Sequence, residues 1–171
     1  MTISSNLDTW LAGLGAGAAA GARPGLLALD VSRRAIGVAG ADPGWRLATP
    51  LRTIRRRRWA QDLALLDLVI GERAAGALVI GWPLNMDGSE GPRCQAVRAF
   101  ADALAAERGL PILLWDERLS TFAAEEAADQ AGLHGKRRAD LIDALAAAAF
   151  LQDALDTIAR AGARAAAQRD A

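Results

Sequence analysis

The sequence predicts a single α/β domain on a five-stranded mixed sheet, and three observations carry that expectation. Strand-like runs at 25–30, 35–40 and 48–54 are joined by links too short to hold a helix, which favours an antiparallel meander. From Trp59 onward strand-like and helix-like segments alternate, the mark of a parallel second half. The 171 residues are 52% apolar and 23% charged, enough for one domain with a full core and too apolar for a disordered chain.

Residues 1–24 read as an N-terminal extension, partly flexible. The run from Leu11 to Ala22 has the small apolar character of a signal peptide, but no basic residue precedes it and Asp8 does. A short amphipathic helix around 7–14 and a Gly/Ala linker ending at Pro24 fit better. The main domain is expected over 25–157. Its first strand, Leu26-Leu27-Ala28-Leu29-Asp30, delivers a carboxylate to its own end. Ser32, Arg33 and Arg34 turn the chain into the second strand, and Asp42-Pro43-Gly44 marks the next turn. Arg55-Arg56-Arg57-Arg58 is either a solvated charge run at a helix start or a phosphate-contact patch. After it, Leu63, Leu66, Leu68 and Ile70 read as the packed side of a helix.

A fourth strand at 76–81 stops at Trp82-Pro83. The loop from Leu84 to Pro92 follows a strand's carboxyl end and precedes a helix, so it is either a capped helix start or a phosphate-facing loop. Val97, Phe100, Ala101 and Leu104 give the next helix its apolar face, Gly109-Leu110-Pro111 ends it, and 112–115 is the fifth strand. Ser120 or Thr121 can cap a helix running to Gln130. Gly132 to Arg138 is a basic connection. The last helix, from about Ala139 past Leu155, is apolar on nearly every side between Leu141 and Leu151 and should be buried against the sheet. The Arg/Ala-rich residues 158–171 read as a solvated tail.

Composition narrows the chemistry. The formal net charge is zero, so nucleic-acid binding would have to come from local patches. Lys136 is the only lysine; Arg suits phosphate recognition, but beside so many alanines its excess reads more simply as codon composition. A single cysteine, Cys94, excludes an internal disulfide. With one histidine, His134, read as a surface residue, a multi-histidine zinc site or a His-paired nucleophile is hard to build. Nothing approaches about 18 uninterrupted apolar residues, so no membrane span is expected. An enzyme of this composition would work through carboxylates.

Three acids stand where a core has little reason to put them, since an unpaired ionised carboxylate out of water is very costly. Asp30 ends the first strand, Glu117 follows a buried strand, and Asp143 lies among Leu141, Ile142, Ala144 and Leu145 of the buried helix. Each has a plainer explanation: Asp30 a satisfied turn residue, Glu117 an ion pair with Arg118. Asp140 shares a helix face with Asp143 but also sits where the helix dipole favours an acid. Together these acids suit one or two hard divalent cations. Mg²⁺ prefers oxygen ligands, and two ions about 3.5–4 Å apart can activate water and stabilise the leaving oxygen of a phosphodiester.

Four stretches also resemble a known family in the order in which they occur. They are Leu27-Ala28-Leu29-Asp30 with Ile36-Gly37-Val38-Ala39; Val79-Ile80-Gly81-Trp82-Pro83-Leu84-Asn85-Met86-Asp87-Gly88-Ser89-Glu90-Gly91; Asp116-Glu117-Arg118-Leu119-Ser120-Thr121; and Ile142-Asp143-Ala144-Leu145-Ala146-Ala147. Over roughly 25–155 the chain resembles the bacterial pre-16S ribosomal RNA nucleases, also described as Holliday-junction-resolvase-like. That resemblance implies a ribonuclease-H-like fold, with three antiparallel strands, then two parallel ones, and helices on both faces. It implies an acidic site of Asp30, Glu117 and Asp143 holding Mg²⁺ or Mn²⁺, with Asp140 as a further ligand candidate. It also implies a cytoplasmic, metal-dependent hydrolase that matures the 5′ end of 16S rRNA. Ala28, Val31, Ser32 and Ala35 depart from the family's usual Gly, aromatic, Gly and Arg.

On this basis the expected partner is precursor 16S rRNA or the assembling small subunit, bound by a monomer or weak homodimer through Arg33, Arg34, Asn85, Ser89, Arg118, Lys136, Arg137 and Arg138. Two alternatives use the same residues. One is a resolvase of branched DNA, which normally calls for a symmetric dimer. The other is an RNA-binding assembly factor without catalysis, whose binding would fall steeply with salt.

Overall fold

The chain's computed structural model describes residues 3–15, 23–118 and 120–169; the side chains of 15, 120–122, 136, 137, 139, 140, 165, 166 and 169 lie outside that description. A two-residue strand β1 (Ile3–Ser4) leads into helix α1 (Leu7–Gly15), whose first turn is capped by the Asn6 side chain accepting the Thr9 N–H at 2.9 Å. Strands β2 (Gly25–Val31), β3 (Ala35–Ala41) and β4 (Ala48–Arg55) form the antiparallel meander. Then come α2 (Trp59–Glu72), β5 (Ala75–Trp82), α3 (Pro92–Arg108), β6 (Ile112–Asp116), α4 (Ser120–Gln130) and α5 (Gly135–Arg169).

Among the described residues the strands make one six-stranded sheet in the order β1-β6-β5-β2-β3-β4. β2, β5, β6 and β1 run parallel to their neighbours, and β2, β3 and β4 antiparallel. This is the expected ribonuclease-H-like plan with helices on both faces, corrected from five strands to six. The extra strand is β1, where Ile3 and Ser4 pair with Ile112 and Leu113. Two residues are too few to show a period of 2, so periodicity could not reveal them. The expected linker before Pro24 lies largely outside the described residues.

Alternating side chains cover the two faces differently. On one, Leu27, Leu29, Ile36, Val38, Leu78 and Ile80 pack against α2 and α3. On the other, Leu26, Ala28, Ala39, Ala77 and Val79 meet α5, and Trp10 of α1 joins them. Trp10 stacks on Trp45 with ring centroids 5.9 Å apart. Two helix assignments need correcting. α2 buries Asp62, Leu63, Leu66 and Val69, leaving Leu68 57% exposed on the outer side. α5 starts at Gly135, inside the stretch read as a connection, and runs on through the stretch read as a tail, with Arg160 and Arg164 exposed, because Ala and Arg are both strong helix formers. Among the described residues no helix is long and apolar enough to cross a membrane.

Candidate active site

The sheet's carboxyl-end edge under α5 carries the three acids, with Asp30 feeling the charge of Asp143 and Glu117 that of Asp30. Asp30, next to last in β2, lies opposite Gly37 of β3 in register. A Cβ on Gly37 would stand 2.0 Å from the backbone carbonyl oxygen of Asp143. Glycine is therefore what lets the α5 backbone descend onto the sheet and set Asp143 beside Asp30. Glu117 follows β6, its N–H donating to the Trp82 carbonyl at 3.3 Å, so the β5–β6 ladder holds its backbone. Its carboxylate lies over Gly81, where a Cβ would come within 1.9 Å of Oε2. A missing side chain in β3 and another in β5 thus make room for two of the three acids.

The electrostatics are those of like charges set close together and partly withdrawn from water. Burial, and then the charge of Asp143, push the Asp30 carboxyl up to about 6, against a lowering by Arg93. Glu117, 9% exposed, is pushed up to about 8, first by burial and then by Asp30, again against Arg93. Burial raises Asp143 as well, and Arg55 opposes it. Two arginines therefore flank the acids. Arg93, in the first turn of α3 after Gly91-Pro92, brings Nη2 to 3.6 Å from Glu117 Oε1 while its side chain is 72% exposed. Sequence reasoning missed Arg93, although a helix start following a strand's carboxyl end was a signal for it. Arg55 stood hidden in a run read as one block. In that run Arg56 is a structural residue, its guanidinium donating to the Ser32 carbonyl at 2.9 Å and facing the buried Asp62 at 3.5 Å.

The other candidate binding residues lie around this edge. Arg33 and Arg34 are exposed on the β2–β3 turn, which the Ser32 hydroxyl closes. That hydroxyl accepts the Ala35 N–H at 3.0 Å and the Arg34 N–H at 3.3 Å, and donates to the Ala35 carbonyl at 3.0 Å. Ser32 is not among the described non-glycine residues with positive φ, so serine serves where the family usually has glycine. In the loop after β5, Asn85 Nδ2 donates to Ser89 Oγ at 2.8 Å, and Ser89 Oγ donates to Asp87 at 2.6 Å. Arg118 bonds Asp116 at 2.8 Å and reaches the Met86 carbonyl at 3.4 Å, tying that loop to β6. Arg138 pairs with Asp129 of α4. The side chains of Lys136, Arg137 and Asp140 lie outside the described residues. His134 is exposed, as expected, and Cys94 is buried with its thiol on the Pro83 carbonyl.

An all-oxygen set of mutually repelling, partly buried carboxylates fits a hard divalent cation in kind, and the hollow over Gly81 holds the Glu117 carboxylate in place for one. It is not a closed cage: among the described residues no three His, Cys, Asp or Glu side chains stand together as a ready-made metal site. Waters and substrate phosphates would complete the coordination, as is usual for Mg²⁺.

The chain is similar to known proteins in sequence and in fold. A protein of Rhodobacter capsulatus named "Putative pre-16S rRNA nuclease" is 53% identical over 146 residues, spanning 85% of this chain and 92% of that one. One of Rhodospirillum rubrum with the same name is 52% identical over 136 residues, spanning 79% and 84%. The solved structure of T. thermophilus RuvC in complex with a Holliday junction substrate aligns over 82% of this chain and 97% of its own, with a TM-score of 0.51 at 19% identity, a likeness of fold. The family model described as RuvX, Holliday junction resolvase, matches residues 25–157, which contain all three acids. With that match and relatives identical at half their positions, the chain belongs to the RuvX family.

Proposed function

We propose that the protein is a divalent-metal-dependent endonuclease that hydrolyses phosphodiesters of structured nucleic acid, and that its substrate is the 5′ end of pre-16S rRNA in the cytoplasm. The observation that carries this is the delivery of Asp30, Glu117 and Asp143 to one edge, with Gly37 and Gly81 clearing their way. Those three residues would hold Mg²⁺ or Mn²⁺, which supplies an activated water and neutralises the leaving oxygen when bound. Arg93 and Arg55 would draw the substrate's phosphates to the acids from two sides, and the exposed Arg33 and Arg34 would extend that path. The names of the relatives support the rRNA substrate; the family's description as Holliday junction resolvases supports branched DNA as the competitor.

The test is cleavage of precursor 16S rRNA, free and within assembling small subunits, with Mg²⁺ or Mn²⁺, compared with the Asp30→Asn/Asp143→Asn double variant. Metal-dependent trimming should disappear in the variant while RNA binding persists. Trimming that survives would remove the acids from the mechanism. Cutting of a four-way DNA junction in preference to the rRNA would transfer the assignment to resolution.

A further inference from the structure

Beside the acids lies a cavity of about 610 Å³ that the proposed chemistry does not use. It lies where the loop after β5, the end of β6 and helices α4 and α5 meet, and Met86, Trp115, Phe150 and Asp153 are among its lining residues. The half-buried Trp115 indole donates from Nε1 to Asp153 Oδ2 at 3.0 Å, so the ring is held in one orientation. Met86, 75% exposed, stands at the rim. The cavity adjoins the candidate site directly. Asp116 and Arg118, the chain neighbours of Glu117, line it, and Phe150 reaches the hollow over Gly81 that holds the Glu117 carboxylate.

Its chemistry selects an occupant. Arg118 is already bonded to Asp116 at 2.7 Å, which leaves Asp153 as the cavity's uncompensated charge, and a carboxylate repels phosphate. The aromatic and apolar walls suit a flat ring, since nucleobases stack on such side chains with little regard to sequence. The carboxylate adds the selectivity. It accepts hydrogen bonds and donates none, and although Oδ2 takes the indole N–H, each oxygen has two acceptor sites. Guanine presents two adjacent donors, N1–H and the 2-amino group, on its Watson–Crick edge; the other bases place an acceptor next to any donor there. We propose that this cavity takes one unstacked guanine of the substrate, next to the phosphodiester to be cut. The inference rests on the nuclease reading for its substrate and adds a base preference to it.

The test separates the two. Fluorescence anisotropy is measured in EDTA, so that no cutting intervenes, with labelled oligouridine hexamers carrying a central G, A, C or U, on the whole chain and on Asp153→Asn and Trp115→Leu. The guanine hexamer should bind about tenfold more tightly than the all-uridine one, in line with a two-bond contact to a base edge. In Asp153→Asn that ratio should collapse towards one without loss of oligouridine affinity, since the charge removed is one that repels phosphate. Asp153 is exposed on α5, so its variant should melt as the parent does, which keeps a folding loss in Trp115→Leu separable. Equal affinity for all four hexamers, or a guanine preference that survives Asp153→Asn, overturns the cavity's role and leaves the nuclease untouched. Failure to bind any hexamer or precursor rRNA overturns both.

Discussion

The two faces of the sheet are built on opposite principles. Against α2 and α3 the strands present Leu27, Leu29, Ile36, Val38, Leu78 and Ile80, large aliphatic side chains that fill the space to the helices. Against α5 the middle of the sheet sets Ala28, Gly37, Ala39, Ala77 and Gly81 among the larger Leu26 and Val79, and the helix answers with Ala144, Ala147 and Ala148 beside Phe150 and Leu151. The first face obtains its stability from side-chain volume. The second gives up volume so that a helix backbone can approach the strands, and that approach brings Asp143 to Asp30. One face holds the fold together, and the other uses the fold's rigidity to press like charges side by side.

The largest expected effect lies on the first face. Leu78→Ala removes a fully buried side chain and should cost about 2–5 kcal/mol in a denaturant titration. Cleavage per folded molecule should stay near wild type, and a proportionate loss of activity would show that the two faces are not separable. Next comes the second face, where adding volume is the damaging change. Gly37→Ala sets a methyl group against the Asp143 backbone and should cost about 1–3 kcal/mol. Gly40→Ala, in the same strand, meets only side chains, Leu51 at 3.2 Å and Leu27 at 3.5 Å, and should cost clearly less. Gly81→Ala divides the effect differently. Its obstacle is the end of the Glu117 side chain, so the fold should survive while activity falls. A Gly37→Ala protein as stable as Gly40→Ala would refute the close-approach account.

The same contrast explains what could be read from sequence. Strands with large alternating residues announce themselves, and all five of them fall within about a residue of their expected spans. Asp30, Glu117 and Asp143 were visible because each ends or interrupts an apolar run. Alanine and glycine carry almost no pattern, so nothing in the sequence distinguished Gly37 and Gly81 from ordinary strand residues. Long-range partners were equally hidden. Arg93 meets Glu117 across 24 positions of chain, and Arg55 meets Asp143 across 88. Leu68 reads with Leu63, Leu66 and Ile70 as part of the packed side of the helix, and the helix turns it outward.

A smaller effect of opposite sign should come from relieving the charges. With metal removed by chelation, Asp30→Asn should stabilise the protein by roughly 1 kcal/mol near pH 8, because it deletes one of two neighbouring, desolvated like charges. The sign follows from the direction of the shifts. Asp30 at about 6 and Glu117 at about 8 bind protons more tightly folded than unfolded, so the parent should lose stability as pH rises from about 4 to 8. In Asp30→Asn that loss should shrink, as thermal melting across the range would record. A variant no more stable than the parent at pH 8 would mean that the charges are relieved in the folded state already.

The smallest effect belongs to the opposite face and has the opposite pH dependence. Arg108 of α3 bonds both oxygens of Asp67 of α2 at 2.6 Å, joining the two helices that cover the large aliphatic side chains. That hydrogen bonding holds the Asp67 carboxyl below its usual range. A carboxylate shifted downward stabilises the fold fully above its unfolded pKa, near 4, and the contribution fades as pH falls through the folded value. Asp67→Asn should therefore lower the melting temperature slightly at pH 7 and converge with the parent in acid. Both side chains are partly exposed, at 30% and 39%, so added salt should erase most of the difference. The Asp30 effect arises where water is largely excluded and should resist the same salt. Equal salt sensitivity at the two sites would mean that the acids under α5 are no better shielded from solvent than a surface ion pair.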